Sequence, residues 1–158
     1  MEMNRNYTGK SGQLAVMAEF LIRGYNVAMP EVDEGDDIFV VHHVGTLWRI
    51  QVKSANCRRT RAGIVARFSM SGSQLMTRRS PDLMFVFAAR KAGRWADFIV
   101  IRREELETLC SDFGAGKVLG SNVMFELTFT RKDVRCGGLS LQRFRNAWLD
   151  WPALARAA

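Results

Sequence analysis

The sequence predicts an α/β (α+β) fold in which helices flank a mixed central sheet, with the core order αβββαβ. An amphipathic helical segment near the N terminus is followed by short apolar runs that are typical of strands. Residues Leu83–Ala89 are apolar on both faces, as expected of a strand covered on both sides. The 158 residues, 47% of them hydrophobic, suffice for one domain with a real core. We therefore predict a single domain over residues 1–158, with its core at about 8–101 and a C-terminal extension at about 102–158.

The first predicted helix runs from Gly12 to Arg23. Ser11 is a suitable N-cap, and Gly24 stands where a C-terminal cap belongs. Helical spacing groups four apolar residues on one face, which we expect to be buried: Leu14, Met17, Ala18 and Leu21. A short strand is then predicted over Tyr25–Met29, closed by Pro30.

Two antiparallel strands are predicted next, over Asp37–Val41 and Trp48–Lys53, joined by a three-residue turn centred on Gly45. That turn sets Val40 opposite Ile50 and Asp37 opposite Lys53. Gln51 and Lys53 then share the face that carries Asp37, so a carboxylate, an amide and an ammonium converge at one end of the hairpin. A slip of one residue would bring Asp36 to that position instead.

The remaining elements follow from the same patterns. Residues 54–63 have the composition of an exposed basic loop. Strands are predicted over Ile64–Met70, Leu83–Ala89, Trp95–Ile101 and Asn122–Thr130, and helices over Ser71–Arg79, Arg102–Cys110 and Ser140–Trp151, the last stopped by Pro152.

Composition excludes several classes of protein. The N-terminal residues have no apolar stretch of signal-peptide type and no apolar run is long enough to span a bilayer, so we expect a soluble, cytoplasmic protein without a membrane partner. Three cysteines without CxxC spacing argue against a disulfide framework and a zinc site. His42 and His43 are the only histidines, which disfavours an HNH-type nuclease.

The net charge of +7 is informative through its placement, because no Asp or Glu occurs between Ile38 and Pro81. That stretch holds eight basic residues. Five of them are candidates for contacts with DNA phosphates: Arg58, Arg59, Arg61, Arg78 and Arg79. The alternative is an ordinary solvated face.

The helix and the strands carrying Gly35-Asp36-Asp37-Ile38 and Ile50-Gln51-Val52-Lys53 resemble the PD-(D/E)xK nuclease superfamily. The closest branch is the one whose third motif is QxK, which includes homing endonucleases of group I introns. The resemblance is most specific over Thr8–Ala55. It implies a restriction-endonuclease-like fold and a divalent-metal-dependent DNA endonuclease acting on double-stranded or branched DNA.

In such a site Asp37, Gln51 and the Val52 carbonyl would be oxygen ligands for Mg²⁺, with Mn²⁺ as a substitute, and Lys53 would steady the nucleophile. The first helix of these nucleases usually supplies a glutamate directly after a glycine, whereas this chain has Gly12-Gln13. Either Gln13 or Glu19 is therefore a candidate to complete the site. An ordinary cross-strand salt bridge between Asp37 and Lys53 is the alternative.

Two further functions stay open. Gln13 favours a catalytically inactive nuclease-fold protein that binds DNA. A structural or partner-binding module is the third hypothesis, because the last predicted helix carries an apolar stripe that would suit either a homodimer interface or docking within the chain: Leu141, Phe144, Trp148 and Trp151.

Overall fold

The computed structural model describes residues 5–32, 34–41 and 45–148. The helices are α1 (Arg5–Leu21), α2 (Gly72–Met76) and α3 (Arg103–Ser111). The strands are β1 (Asn26–Ala28), β2 (Ile38–Val41), β3 (Leu47–Asn56), β4 (Arg58–Thr60), β5 (Gly63–Ser71), β6 (Leu83–Lys91), β7 (Arg94–Arg102), β8 (Lys117–Leu119), β9 (Asn122–Phe129), β10 (Val134–Cys136) and β11 (Leu139–Ser140). A 3-10 turn covers Gln142–Phe144.

The first sheet has the strand order β1-β2-β3-β6-β7. Its neighbours are antiparallel except for β3 and β6, which are parallel. A parallel pair needs a long crossover, and here the segment from β4 to α2 provides it. The predicted mixed sheet with flanking helices is confirmed, and the order αβββαβ is present with β4 and β5 inserted before α2.

The second sheet is antiparallel, with the order β11-β10-β9-β5-β4 and with β8 on the other part of β9. One apolar cluster joins the two sheets, because Phe85 and Phe87 of β6 share it with Phe68 of β5 and Phe125 of β9. A second cluster lies on the other face of the first sheet, where α1 contributes Val16 and Phe20. Strand β6 is therefore covered on both faces, as its sequence predicts.

The predicted buried face of α1 is wrong. Leu14 and Leu21 are 50% and 53% exposed, whereas the buried residues follow a strict four-residue spacing: Thr8, Gly12, Val16 and Phe20. Half of that row is small or polar, so hydropathy does not reveal it. The helix also begins earlier than predicted, at Arg5. The Gly24 cap is confirmed, since Gly24 has φ +85 and Tyr25 donates its N–H to the Phe20 carbonyl at 3.2 Å.

The predicted register of the β2–β3 hairpin is wrong by two residues. Ile38 pairs with Ile50 and Val40 with Trp48, and the pairing continues to Val41 opposite Leu47. This register buries Trp48 to 5% exposure, with its ring edge-on to Tyr25. A two-residue shift preserves the facing of every side chain, so Gln51 and Lys53 still share one face of β3.

Two other predictions are wrong in outline. Residues 54–63 are not a loop: β3 continues to Asn56, and β4 pairs with β5. Residues 140–148 do not form a helix either, because the chain crosses the edge of β7 instead, with Ile99 bridged to Arg145. Asn146 accepts a hydrogen bond from the Phe98 N–H at 2.9 Å, and this covers an otherwise open strand edge.

The C-terminal apolar residues pack within the chain. Leu141, Phe144 and Trp148 are buried, and Trp148 lies edge-on to Phe20 and Phe98. These three side chains are therefore not available as a dimer surface, and Trp151 lies outside the described residues. Among the described helices, none is long and apolar enough to cross a membrane.

Candidate active site

Asp37 lies directly before β2, where the pairing of β2 with β3 ends. Its N–H still donates to the Ile50 carbonyl at 2.9 Å, and its side chain then reaches along the edge of β3 to accept the Val52 N–H at 2.7 Å. Because the pairing of β2 with β3 has ended here, the carboxylate accepts the hydrogen bond that a backbone carbonyl of a paired strand would otherwise accept. It is buried, at 8% exposure.

Two side-chain amides complete the surroundings of this carboxylate. The Gln51 Nε2 donates to Asp37 Oδ2, and the Gln13 Nε2 donates to Asp37 Oδ1 at 2.5 Å. Gln51 comes from β3 and Gln13 from α1, so two elements converge on one acid. Buried carboxylates need such donors, because an ionised group without hydrogen bonds is costly away from water.

Gly12 explains how α1 comes close enough for Gln13 to reach Asp37. A Cβ at Gly12 would lie 1.9 Å from the Ser54 Oγ and 2.8 Å from the Ser54 Cβ. Only glycine permits this approach of the helix to β3. The glycine before Gln13 therefore places the helix directly on the strand that carries Gln51 and Lys53.

Lys53 is connected to the same group through Gln74 of α2. The Lys53 Nζ donates to the Gln74 Oε1 at 3.0 Å, and the Gln74 Nε2 donates to the Gln51 Oε1 at 3.1 Å. Sequence reasoning missed Gln74, because nothing in the pattern of a five-residue helix marks one glutamine as facing a strand more than twenty residues earlier. The structure brings together Gln13, Asp37, Gln51, Lys53 and Gln74.

The two adjacent aspartates have different partners. Asp36 accepts a two-pronged hydrogen bond from Arg49, with its oxygens 3.0 Å from Nε and 2.6 Å from Nη2. This ion pair holds Asp36 away from Gln51. Asp37, and not Asp36, is therefore the aspartate that contacts Gln13 and Gln51.

Glu19 is not brought to this group. Its Oε2 accepts from the Nη1 of Arg23, which follows the end of α1, at 2.7 Å. It lines a separate pocket together with Trp95, Phe98 and Trp148. Of the two candidates on α1, Gln13 is thus the one in contact with Asp37.

The five candidate arginines fall into two groups. Arg79 lies beside the site, where its Nη1 donates to the Glu34 carbonyl at 3.3 Å, and Arg78 is its exposed neighbour. Arg58 and Arg59 are exposed on β4, and Arg61 is exposed in the turn that follows. Arg58 pairs with Val65, six residues before the Ser71 cap of α2, which corresponds to about 20 Å of extended strand.

The oxygen atoms around Asp37 suit a hard divalent cation that keeps most of its bound water molecules. Among the described residues, no three or more His, Cys, Asp or Glu side chains group closely enough to hold a metal. The available oxygens are one carboxylate, the amide oxygens of Gln13 and Gln51, and the Val52 carbonyl. Mg²⁺ is commonly held by one or two carboxylates together with water and substrate phosphate, so this sparse oxygen set suits it.

The cysteines lie outside this chemistry. All three thiols are free. Burial raises the pKa of Cys57 and that of Cys110 to about 11, and burial also raises the pKa of Cys136. Thiols with raised pKa values are poor nucleophiles near neutral pH, consistent with isolated structural cysteines. His42 and His43 lie outside the described residues.

Comparison with known proteins was made by sequence and by structure. A family model described as PD-(D/E)XK endonuclease matches residues 3–132. The fold is similar to the structure of a bacterial homing endonuclease, I-Ssp6803I, with a TM-score of 0.63 and 18% sequence identity over 98% of this chain and 97% of that one. A sequence search of curated proteins found no significant match.

Proposed function

Because this chain belongs to the PD-(D/E)XK endonuclease family, we propose that it is a DNA endonuclease that hydrolyses phosphodiester bonds with a divalent cation, Mg²⁺ or in its place Mn²⁺. One observation carries the proposal: the buried Asp37 carboxylate accepts hydrogen bonds from Gln51 and from the Val52 N–H, while Lys53 is held nearby through Gln74. Together with the QxK spacing of Gln51 and Lys53, this grouping supports the proposal.

Each residue has a defined part in this proposal. A bound cation would neutralise the charge that develops on the phosphate and lower the pKa of its water. Asp37 supplies the negative charge for that cation, and Gln51 and the Val52 carbonyl supply neutral oxygens. The Gln51 amide must rotate to present its oxygen beside Asp37. Lys53 supplies an ammonium that donates to the attacking water or to a phosphate oxygen.

The test is cleavage of supercoiled plasmid and of branched DNA with Mg²⁺ and with Mn²⁺. Asp37→Asn retains the size of the side chain but removes its charge, and Lys53→Ala removes the ammonium. We expect each to lower the cleavage rate by about 100-fold or more while the melting temperature stays close to that of the wild type. Lys117→Ala, an exposed lysine on β8, is the control and should cleave normally. Full activity in either site variant would refute the assignment.

A second function is favoured by one specific contact. Gln13 stands where related nucleases have a glutamate, and its amide N–H occupies the Asp37 Oδ1. With one carboxylate fewer the site attracts a cation less strongly, which suits a protein that binds DNA and does not cleave it. Duplex binding without cleavage in either metal would select this function.

Substrate, location and assembly belong to the same proposal. The exposed arginines support double-stranded or branched DNA as the substrate, since cations that contact phosphates bind duplexes irrespective of sequence. A cytoplasmic location and a homodimer stay predictions. Sedimentation of the protein at several concentrations, with and without DNA, tests the homodimer.

A further inference from the structure

We infer that Gln74 is a positioning residue of the active site, which orients Gln51 toward Asp37 and holds Lys53 within reach of the substrate phosphate. This inference rests on the proposed endonuclease function and adds a residue to its site.

The contacts of the Gln74 amide are complementary to those of both neighbours. Its Nε2 donates to the Gln51 Oε1 at 3.1 Å, and its Oε1 accepts from the Lys53 Nζ at 3.0 Å. An ammonium can only donate, so the Gln74 oxygen must face Lys53 and its N–H groups must face Gln51. Lys53 thereby fixes the orientation of the Gln74 amide, and Gln74 in turn influences which end of the Gln51 amide faces Asp37.

The backbone that carries Gln74 is held in place from three directions. The Ser71 Oγ accepts the Gln74 N–H at 3.1 Å and caps the helix, and the next residue, Leu75, is buried to 1% exposure. The Arg103 Nη1 donates to the Leu75 carbonyl at 3.0 Å. So short a helix is not stable alone, and these contacts give Gln74 a fixed position.

The side chain also borders the segment that leads to Asp37. A Cβ placed at Gly35 would lie 3.5 Å from the Gln74 Nε2 and 3.6 Å from the Arg79 Nη2. Gln74 is thus placed between the Gly35 backbone and the side chains of Gln51 and Lys53. It is only partly buried, so a phosphate can approach this group from solvent.

The central variant is Gln74→Met, which keeps the length of the side chain but neither donates nor accepts strongly. Partners of metal ligands affect affinity or activity by about 10- to 100-fold. We expect the cleavage rate to fall by about that factor, because Lys53 loses its partner. The Mg²⁺ concentration at half-maximal binding should also fall, because the Gln51 oxygen is released from Gln74 and can turn toward Asp37. The control is Met76→Ala on the same helix, where Met76 is 59% exposed; it should change neither quantity.

The Gln74→Glu variant distinguishes the effect of residue 74 on the orientation of the Gln51 amide from its effect on packing. A carboxylate accepts from Lys53 but cannot donate to Gln51, so the Gln51 amide must turn its N–H toward residue 74 and its oxygen toward Asp37. We expect its Mg²⁺ affinity to exceed that of Gln74→Met by at least about tenfold, and cleavage to recover in part. A purely structural role for Gln74 predicts that both variants lose activity only as far as they lose stability.

The readout that does not depend on activity is the NMR signal of the Gln51 side-chain amide, followed with and without Mg²⁺. Gln74→Met should shift this signal in the metal-free protein, whereas Met76→Ala should not. If the wild type cleaves no DNA, the endonuclease proposal fails and the Gln51 signal alone decides the role of Gln74. An unchanged Gln51 signal in a folded Gln74→Met protein, or unchanged Mg²⁺ binding where the wild type binds Mg²⁺, would overturn the inference.

Discussion

Asp36 and Asp37 are adjacent in the chain but have different hydrogen-bond partners. Asp36 is paired with the Arg49 guanidinium, whose fork matches both carboxylate oxygens. Asp37 accepts from two neutral amides and a backbone N–H. These neutral donors fix the orientation of the Asp37 carboxylate.

The same reasoning yields a prediction for Gln13. Gln13→Glu places a second carboxylate against Asp37, so the two charges repel in the metal-free protein and both attract a cation. We expect a lower melting temperature without Mg²⁺, its recovery with Mg²⁺, and about tenfold less Mg²⁺ needed for half-maximal binding by calorimetry.

Glu19→Gln is the matched comparison, because it also changes the charge of a residue on α1. Glu19 is paired with Arg23 and not with Asp37. Its Mg²⁺ affinity should equal that of the wild type. Weakened Mg²⁺ binding in Glu19→Gln, together with no effect of Gln13→Glu, would show that Glu19 completes the site instead.

Helix α1 lies directly against strand β3 near the site. The buried row Thr8, Gly12, Val16 and Phe20 faces the first sheet, and Gly12 stands against Ser54. The contact positions the residue after Gly12 over the end of β2. The position of α1 and the contact of Gln13 with Asp37 therefore both depend on Gly12.

Gly12→Ala should disturb both. The added Cβ meets Ser54 atoms at 1.9 and 2.8 Å, so α1 must move away from β3 and Gln13 must move away from Asp37. We expect a loss of about 1–3 kcal/mol in the free energy of unfolding, measured in urea, and a reduced cleavage rate.

Gly9→Ala provides the control on the same helix, since nothing lies within 4 Å of a Cβ there. It should raise the free energy of unfolding by about 0.5–1 kcal/mol through helix propensity alone. Adding Ser54→Gly to Gly12→Ala removes the clashing atoms, so the double variant should regain part of the lost activity. Equal effects of the two alanine substitutions would contradict the close approach.

Across the molecule, charge is arranged in two ways. Buried networks join distant parts of the chain, and exposed arginines lie in two groups, one beside the site and one on β4 and the turn that follows it. The clearest network joins Lys91 and Asp97 of the β6–β7 hairpin to Arg145 of the C-terminal segment. Asp97 is 4% exposed. It ties residues 140–148 to the first sheet and so contributes to global stability.

This network predicts how stability depends on pH. Burial alone would raise the pKa of Asp97, but the hydrogen bonds and charges of Lys91 and Arg145 outweigh it and hold the pKa below its ordinary value of 3.8. A lowered folded-state pKa adds stability that is complete above pH of about 4 and is lost as the pH falls further. The melting temperature should therefore fall as the pH drops below about 4.

Asp97→Asn should remove part of that dependence and cost about 3 kcal/mol at pH 7, because Lys91 and Arg145 lose their common carboxylate while largely buried. Asp112→Asn, at an exposed aspartate, is the comparison and should change stability little. An acid-unfolding curve for Asp97→Asn identical to that of the wild type would show that other carboxylates control the transition.

The exposed cations predict the salt dependence of DNA binding. Arg58→Ala combined with Arg59→Ala should weaken binding to all duplexes alike and flatten the plot of log affinity against log salt by about one unit per lost phosphate contact. Fluorescence anisotropy on two unrelated duplexes measures this. Arg135→Ala with Arg143→Ala removes equal charge elsewhere and should change the slope less. A loss confined to one duplex sequence would indicate base reading by Arg58 or Arg59.

Local pattern was sufficient for much of this protein. Alternating and continuous apolar runs predicted the strands that carry the site, Gly24 predicted the end of α1, and the spacing of Gln51 and Lys53 placed both on one face of β3. These features depend on periodicity and on single-residue conformation, which the sequence states directly. The mixed sheet was predicted through the resemblance to the nuclease superfamily, since periodicity does not distinguish parallel from antiparallel pairing.

Tertiary packing decided the rest. The buried face of α1 depends on Gly12 meeting Ser54, and the hairpin register depends on the burial of Trp48. Segment 140–148 has helical spacing but pairs with the edge of β7, where covering open backbone groups and burying Trp148 outweigh helix propensity. Gln74 joins the site because α2 returns to β3 after the β4–β5 excursion. Contacts between residues far apart in the chain decide each of these features, and no local periodicity encodes such contacts.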